Sequence, residues 1–281
     1  MPTLKYRRTS TAIQRHRNPE GAKGVRTMID VQTSKKRLVP LAATFAAVYG
    51  MLRLVPFSVF IGPSGRVLTT SEFFAPLLGV VLGPYAGSLA AVVGTFVGIV
   101  ITSRMNFFGL DFLTVMMNAL VLGLIMRRKW IISVLLYAAL LVLFFAHPST
   151  LHFVSVATPN GRVEVPYPWL HIVAWLLLVS PLGRKSAQWI SDPAASRVGC
   201  AACLLALIGT TAQNLTGNLL FASMAVPLMG MTPESLRATW LITFYVYPIE
   251  RLFVVLAATT LTVVVVRALK FSRLSLGSFV R

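Results

Sequence analysis

The stretch SEFFAPLLGVVLGPYAGSLAAVVGTFVG, residues 71–98, decides the fold that we predict for this chain. It is almost wholly apolar. It contains three G-x-x-x-G pairs, Gly79/Gly83, Gly83/Gly87 and Gly94/Gly98. This spacing lets two membrane helices approach closely along their backbones. The sequence GPYAG at 83–87 combines proline with glycine, and we predict a tight turn there between two spans.

The composition of the whole chain is that of a membrane protein. Of its 281 residues, 56% are hydrophobic and 12% are charged, whereas soluble domains average about 25% charged residues. The net charge of +18 comes from short basic clusters between apolar runs and from the N-terminal tail. That placement follows the positive-inside bias of membrane proteins, so we expect a lipid bilayer and not a nucleic acid as the partner of these charges.

Apolar runs predict an all-α integral membrane protein, a bundle of about eight transmembrane spans. The predicted spans are 38–58, 72–86, 87–103, 110–126, 130–146, 168–183, 198–224 and 238–268. An even number of spans places the basic clusters around 127–129, 184–197 and 267–281 on the same side as the basic N-terminus. We therefore predict a multi-pass protein of the cell membrane with both termini cytoplasmic. The alternative is a count of six spans, in which two of the short segments are re-entrant.

The chain divides into five parts by composition. Residues 1–37 form a basic tail without the apolar core of a cleavable signal peptide, and Met28 is an alternative start. A membrane half at 38–129 and a second at 196–270 enclose a segment at 130–195, and 271–281 is a basic cytoplasmic tail. Within the middle segment, 147–167 alternates around Pro159-Asn160-Gly161, which predicts a β-hairpin in an outer loop.

Polar side chains within the apolar runs define the candidate ligand site. They fall in the outer halves of the predicted spans, where they would form a site open to the outside. The candidate substrate-binding residues are Glu72, Asn118, Gln213, Asn214, Asn218, Tyr247, Glu250 and Arg251. Hydrogen bonding between helices is the competing explanation for the amides. An aromatic belt at the membrane interface is the competing explanation for Tyr247 and its aromatic neighbours.

Two further features are interpreted from sequence. Pro248 predicts a break in the last span, and Glu250 would then lie in the first turn of a new helix, where the helix dipole favours a carboxylate. Cys200 and Cys203 form a lone C-x-x-C pair in an apolar run. Without a second pair or a nearby histidine it is a weak metal signal, so we predict no metal and no cofactor.

The runs LAATFAAVYG (41–50), 71–98, GTTAQNLTGNLL (209–220) and YPIERLFVVLAATTL (247–261) carry a family likeness. With them the chain resembles the substrate-binding S components of energy-coupling factor (ECF) transporters. The resemblance implies a six-helix core, here with two inserted spans at about 130–183. It also implies uptake of a vitamin-like micronutrient, driven by a separate T component and ATPases. In that family an Ala-x-x-x-Ala pattern docks the T component, and Ala42, Ala43, Ala46 and Ala47 match it.

An intramembrane hydrolase and a structural or assembly protein are the two alternative functions. The chain has no G-x-x-x-x-G-K-[ST] motif, which fits a subunit that does not hydrolyse ATP itself. The run Gly62-Pro63-Ser64-Gly65 resembles part of an intramembrane hydrolase motif, but His147, His152 and His171 are predicted near the outer ends of spans, so we do not predict an enzyme. A structural or assembly membrane protein without a ligand remains the main alternative.

Overall fold

The computed structural model describes residues 35–58, 68–159 and 161–271, and within them the chain is mainly helical. The helices are α1 (Lys35–Leu52), α2 (Ser71–Thr102), α3 (Asp111–Met126), α4 (Trp130–Ala146), α5 (Trp169–Val179), α6 (Pro181–Trp189), α7 (Ala195–Ala225) and α8 (Pro233–Phe271). Four short strands form two antiparallel hairpins, β1 (Pro56–Ser58) with β2 (Leu68–Thr69), and β3 (Phe153–Thr158) with β4 (Gly161–Pro166). The predicted tail before residue 35, with Met28, the Ser64 motif and residues 272–281 lie outside the described residues.

Three of the described helices are long and apolar enough to cross a membrane, namely α2, α7 and α8. The apolar helices α3, α4 and α5 and the part of α1 from Leu38 to Leu52 are shorter. Hydrophobic side chains such as Leu89, Val100 and Leu135 are more than 60% exposed on helix surfaces. Exposed apolar surface of this kind is stable against lipid, so the fold is that of a helical membrane protein.

Helix α2 is interrupted at Gly83, where φ is 81° and ψ is −175°. Only glycine adopts this conformation without strain, and Pro84 begins the second helical half. A Cβ at Gly87 would collide with the carbonyl group of Leu78, so the two halves of α2 fold back on each other. The break lies within the turn predicted at 83–87, so 71–82 and 84–102 are separate helical legs.

Helix α3 packs against both legs of α2. A Cβ at Gly123 would collide with the Gly83–Pro84 peptide, and a Cβ at Gly79 would come within 2.7 Å of the Ala119 carbonyl oxygen. On the other leg, Ser88 donates a hydrogen bond to the carbonyl of Met116. The first leg therefore runs parallel to α3 and the second runs antiparallel to it, at glycine-mediated backbone contact.

Contacts between the connecting segments define two ends of the bundle. At one end, which we call the hairpin end, Trp240 donates to the Ser149 carbonyl and His147 contacts Ser223. At the other, which we call the basic end, Lys270 donates to the Asp192 carbonyl. The basic end carries Arg127, Arg128, Lys129, Arg184, Lys185, Arg197, Arg267 and Lys270. The hairpin predicted within 147–167 is present as β3–β4, in register from Phe153↔Pro166 to Thr158↔Gly161.

Three predicted boundaries differ from the structure. Helix α1 ends at Leu52, because the chain turns into β1 well before residue 58. The predicted span 168–183 is split by Pro181, where the Ser180 side chain accepts from the Leu182 N–H and caps the new helix α6. Helix α8 continues through Pro248. The prediction that a new helix starts there, with Glu250 in its first turn, was therefore wrong; flanking helical turns hold the backbone across the one missing hydrogen bond.

Candidate functional site

A chain of polar side chains crosses the interior of the bundle and begins on α3. The amide of Asn118, which is fully buried, donates to the Gln213 Oε1 atom at 2.8 Å. Gln213 on α7 in turn donates from Nε2 to the Glu72 Oε2 atom at 3.0 Å. Three helices are thus joined by side-chain hydrogen bonds that are shielded from water. Such bonds fix the relative positions of the helices that carry them.

Gly209 makes room for Asn118, the first residue in this series of polar side chains. A Cβ at this position on α7 would collide with Asn118 Oδ1 and would also press on the Leu122 side chain. Asn118 can therefore reach Gln213 only because α7 presents bare backbone at this level. The sequence GTTAQN from Gly209 places the glycine one helical turn before Gln213, which is why the same helix both admits Asn118 and binds it.

Arg251 is the charged centre of the site. Its side chain is 2% exposed, and its Nη1 atom lies 3.7 Å from Glu72 Oε2. The guanidinium also lies over the Tyr247 ring, with Cζ 5.2 Å from the ring centroid. Its Nε and Nη1 atoms are buried and have no hydrogen-bond partner. A buried donor without a partner costs about 1–3 kcal/mol, and more when it is charged, so Arg251 is poorly satisfied in this state.

His171 joins a second pair of amides to Arg251. The imidazole lies parallel to the Tyr247 ring, with 5.1 Å between centroids and 3° between planes. Its Nε2 atom lies 3.1 Å from Asn214 Oδ1, which also accepts from Asn218 Nδ2 at 3.1 Å. His171 Nδ1 is buried without a hydrogen-bond partner. Two series of contacts therefore connect the amides of α7 to Arg251. Gln213 is connected through Glu72, and Asn214 is connected through the stacked rings.

We call these eight residues the polar seam. Its members are Glu72, Asn118, His171, Gln213, Asn214, Asn218, Tyr247 and Arg251. Seven of the eight residues predicted from sequence are members. Glu250, the other predicted residue, is half-buried and points about 100° away from Arg251 around α8. Towards the basic end, the seam rests on the buried apolar side chains of Leu82, Leu122, Ile125, Leu205 and Ile208.

No protein-family model, no curated protein and no solved structure matches this chain. The geometry of the polar seam is therefore what indicates its chemistry. Four features bear on it: deep burial, one ion pair, two stacked rings, and unsatisfied polar atoms on Arg251, His171 and Asn118. A small molecule with complementary polar groups would satisfy these atoms, and so would a rearrangement of the seam itself.

The predicted docking alanines on α1 divide into two groups. Ala46 is 3% exposed, and a Cβ at Gly94 would come within 2.6 Å of its carbonyl oxygen, so it packs against α2 of the same chain. Ala43 and Ala47 are exposed, and Ala42 is half-buried. Of the four predicted docking residues, Ala43 and Ala47 are therefore the exposed pair, four residues apart on one helix face.

A separate polar cluster closes the hairpin end of α1 and α3. Asp111 is 3% exposed and accepts hydrogen bonds from the N–H groups of Asn106 and Phe107, at 3.0 and 3.1 Å. Arg53 Nη2 lies 3.7 Å from the same carboxylate. Because Asp111 is the first residue of α3, its negative charge also interacts favourably with the helix dipole. This cluster shapes a loop, in which the Asp111 carboxylate is satisfied by two backbone N–H groups.

The geometry near Ser223 gives no support to a hydrolase. His147 Nε2 lies 3.2 Å from Ser223 Oγ, which resembles a Ser–His pair. However, the Ser149 N–H donates to His147 Nδ1, so Nε2 carries the proton, and the serine donates its own proton to the Leu219 carbonyl. A general base needs a free Nε2 lone pair facing the hydroxyl. In the described part of the chain, no group of three or more His, Cys, Asp or Glu residues is arranged to hold a metal ion.

Sequence reasoning missed His171 as a member of the site. It was predicted near the outer end of a span, yet it is 1% exposed and bonded to Asn214. Helix α5 begins at Trp169, so His171 does lie near a helix end as predicted, but that position leaves it buried. Helix α7 extends far enough beside α5 to cover it. A histidine in an otherwise apolar run such as WLHIVAWLLL was the available signal.

Proposed function

We propose that this protein is the substrate-capturing membrane subunit of an uptake system for a vitamin-like micronutrient. The observation that carries the proposal is the polar seam, a set of buried polar side chains from α2, α3, α5, α7 and α8 that leaves atoms of Arg251 and His171 without partners. Polar groups within a membrane bundle are expensive, and those that are retained usually serve a ligand or an ion. A passive binding subunit fits the lack of a nucleotide-binding motif.

In this proposal the chain crosses the cell membrane eight times with both termini in the cytoplasm. The basic end then faces the cytoplasm and the hairpin end faces outward, in line with the positive-inside bias. The two legs of α2 count as separate crossings, and α5 crosses together with the start of α6. Helix α3 has 16 residues and a length of about 24 Å, so the bilayer is locally thin there or the helix ends are covered by loops.

Energy for release would come from other subunits. The exposed Ala43 and Ala47 on α1 offer a flat surface on which a helix of a T component can approach closely. Separate ATPases would act through that component. The solute is captured from the hairpin end and released at the basic end, which requires that the partner complex favour a state with lower affinity for the solute.

A structural or assembly role is the second candidate, and one observation favours it. Asn118, Gln213 and Glu72 already form an unbroken series of hydrogen bonds. Such a series holds helices together without any ligand. It does not account for the unsatisfied donors of Arg251, and for this reason we favour solute binding.

Mass spectrometry of small molecules retained during purification tests the proposal. The protein is purified in mild detergent, washed and denatured, and the released molecules are identified. We expect one small molecule in near-stoichiometric amount with the unmodified protein, and much less with Asn214→Leu, which removes the acceptor shared by His171 and Asn218. Thr262→Val is the matched control, because Thr262 is buried on α8 and its hydroxyl has no hydrogen-bond partner.

Two results would count against solute binding. One is a protein that folds and carries no small molecule even when it is purified from rich medium. The other is equal retention by Asn214→Leu and Thr262→Val, which would place the bound molecule away from the polar seam. Either result would leave the structural role as the better account.

A further inference from the structure

The donors of Arg251 indicate the chemical class of the solute, and this inference rests on the proposed function. Nε and Nη1 are buried and make no hydrogen bond, while the ion pair with Glu72 is a single contact at 3.7 Å. Arginine carries five N–H donors in a planar fork and no acceptor. What the site lacks at this point is therefore an acceptor, and an anionic acceptor forms the strongest hydrogen bonds with a guanidinium.

Glu72 does not supply that acceptor. Its Oε2 atom already accepts a hydrogen bond from Gln213 at 3.0 Å and lies beyond hydrogen-bonding distance from Nη1. The carboxylate is thus held on the Gln213 side, and it neutralises Arg251 without binding its donors closely. This arrangement keeps a lone guanidinium from being stranded in the membrane while leaving its donors available.

We infer that the polar seam binds a solute through a carboxylate group that accepts hydrogen bonds from Arg251. The solute carboxylate accepts from Nε–H, which Glu72 does not reach, while Nη1 stays beside Glu72. One arginine can serve both Glu72 and the solute, because its five donors exceed what a single carboxylate uses. The Tyr247 ring, which is itself stacked on His171, covers one face of the guanidinium, so the carboxylate binds at its edge.

Matched carboxylates and amides test this inference on the purified full-length protein. Acetate and benzoate are compared with acetamide and benzamide, and with inorganic phosphate, by the midpoint of thermal unfolding. Acetate is small enough to reach the guanidinium where larger acids are excluded. We expect at least one carboxylate to raise the midpoint by roughly 2–4 °C, with no rise for its amide or for phosphate.

Three variants locate the effect. Arg251→Gln removes the guanidinium and its charge but leaves the Glu72 carboxylate without a counter-charge, so the double variant Glu72→Gln/Arg251→Gln, which leaves no unpaired charge, guards against misfolding. Both should lose the response to carboxylates. Arg237→Gln is the matched control, because Arg237 is exposed on the same helix, and it should keep the response in full.

The inference is overturned if no carboxylate shifts the midpoint, if amides or phosphate act equally well, or if the folded double variant responds like the unmodified protein. Its failure is distinguishable from that of the proposed function. A retained solute that has no carboxylate group would contradict this inference and leave the binding role intact. The absence of any retained solute would contradict the binding role itself.

Discussion

His171 and Tyr247 lie face to face in the interior of the bundle, with their ring planes 3° from parallel and their centroids 5.1 Å apart. The pair links α5 to α8, and through His171 Nε2 it also reaches Asn214 on α7. The aromatic contact and the hydrogen bond both come from the imidazole of His171. A residue with an aromatic ring but no ring nitrogen would keep the first and lose the second.

His171→Phe should keep the ring contact and lose the bond to Asn214. We expect a loss of about 1 kcal/mol in the free energy of unfolding, typical of one hydrogen bond, with the helical content unchanged. The measurement is denaturant unfolding in detergent, followed by circular dichroism. His152→Phe is the control, because His152 Nε2 is buried without a partner, and this change should cost less. Equal costs for the two variants would show that the contact with Asn214 contributes little.

Gly209→Ala should disturb the polar seam although it adds only one methyl group. The new Cβ would displace Asn118 and break its hydrogen bond to Gln213, at a cost of about 1–3 kcal/mol in the free energy of unfolding. Gly199→Ala on the same helix meets nothing within 4 Å and should stabilise the protein by about 0.5–1 kcal/mol. Thermal unfolding of both variants measures the difference. Stabilisation by both would mean that Asn118 finds another position at no cost.

Asp192 predicts a dependence of stability on pH at the basic end. The backbone N–H of Ala194 lowers the pKa of this carboxyl below its ordinary value of 3.8, partial burial opposes the shift, and Arg197 adds to it. Because the folded pKa is depressed, the stabilising contribution is present above pH 3.8 and is lost as the pH falls through the folded value. Unfolding midpoints of the unmodified protein and of Asp192→Asn should therefore differ at pH 7, and the difference should shrink as the pH falls below 3.8 through the depressed folded pKa. A constant difference would argue against titration of Asp192.

Cysteine labelling tests the proposed orientation. The chain has two cysteines, Cys200 and Cys203, and replacing both by alanine gives a background without thiols. In intact cells a membrane-impermeant maleimide should label Arg162→Cys on β4, and it should label Arg184→Cys on α6 only after permeabilisation; both positions are exposed. The reverse pattern would invert the topology, and labelling of both in intact cells would mean that the number of spans between them is even, so that α5 and α6 do not form a single crossing.

Much of the helical pattern could be predicted because apolar runs and glycine spacing act locally. The GPYAG run marked the reversal at Gly83, and the 147–167 alternation marked the hairpin, since both depend on the conformations of neighbouring residues. The continuity of α8 through Pro248 could not be predicted in this way. Whether a proline ends a helix depends on how the turns on either side are packed.

Most residues of the candidate site could be predicted from the sequence, but the hydrogen bonds that join them could not. Polar residues within apolar runs are few, so listing them found most of the seam. Which amide meets which partner depends on the rotation of each helix, and that rotation is set by packing between distant segments. Gly209 shows this dependence, because its importance appears only when Asn118 is seen to occupy the space beside it. The burial of His171 likewise depends on the length of α7.

The glycine contacts between α2 and α3 bear on how this molecule can move. Where two backbones touch without intervening side chains, as at Gly79 and Gly123, sliding or tilting by even an ångström produces collisions along the whole contact. The two legs and α3 must then travel as one rigid block. Any rearrangement that exposes Arg251 has to occur where this block meets α7 and α8, a boundary spanned by side-chain hydrogen bonds and one ion pair that can break and re-form without moving the block itself.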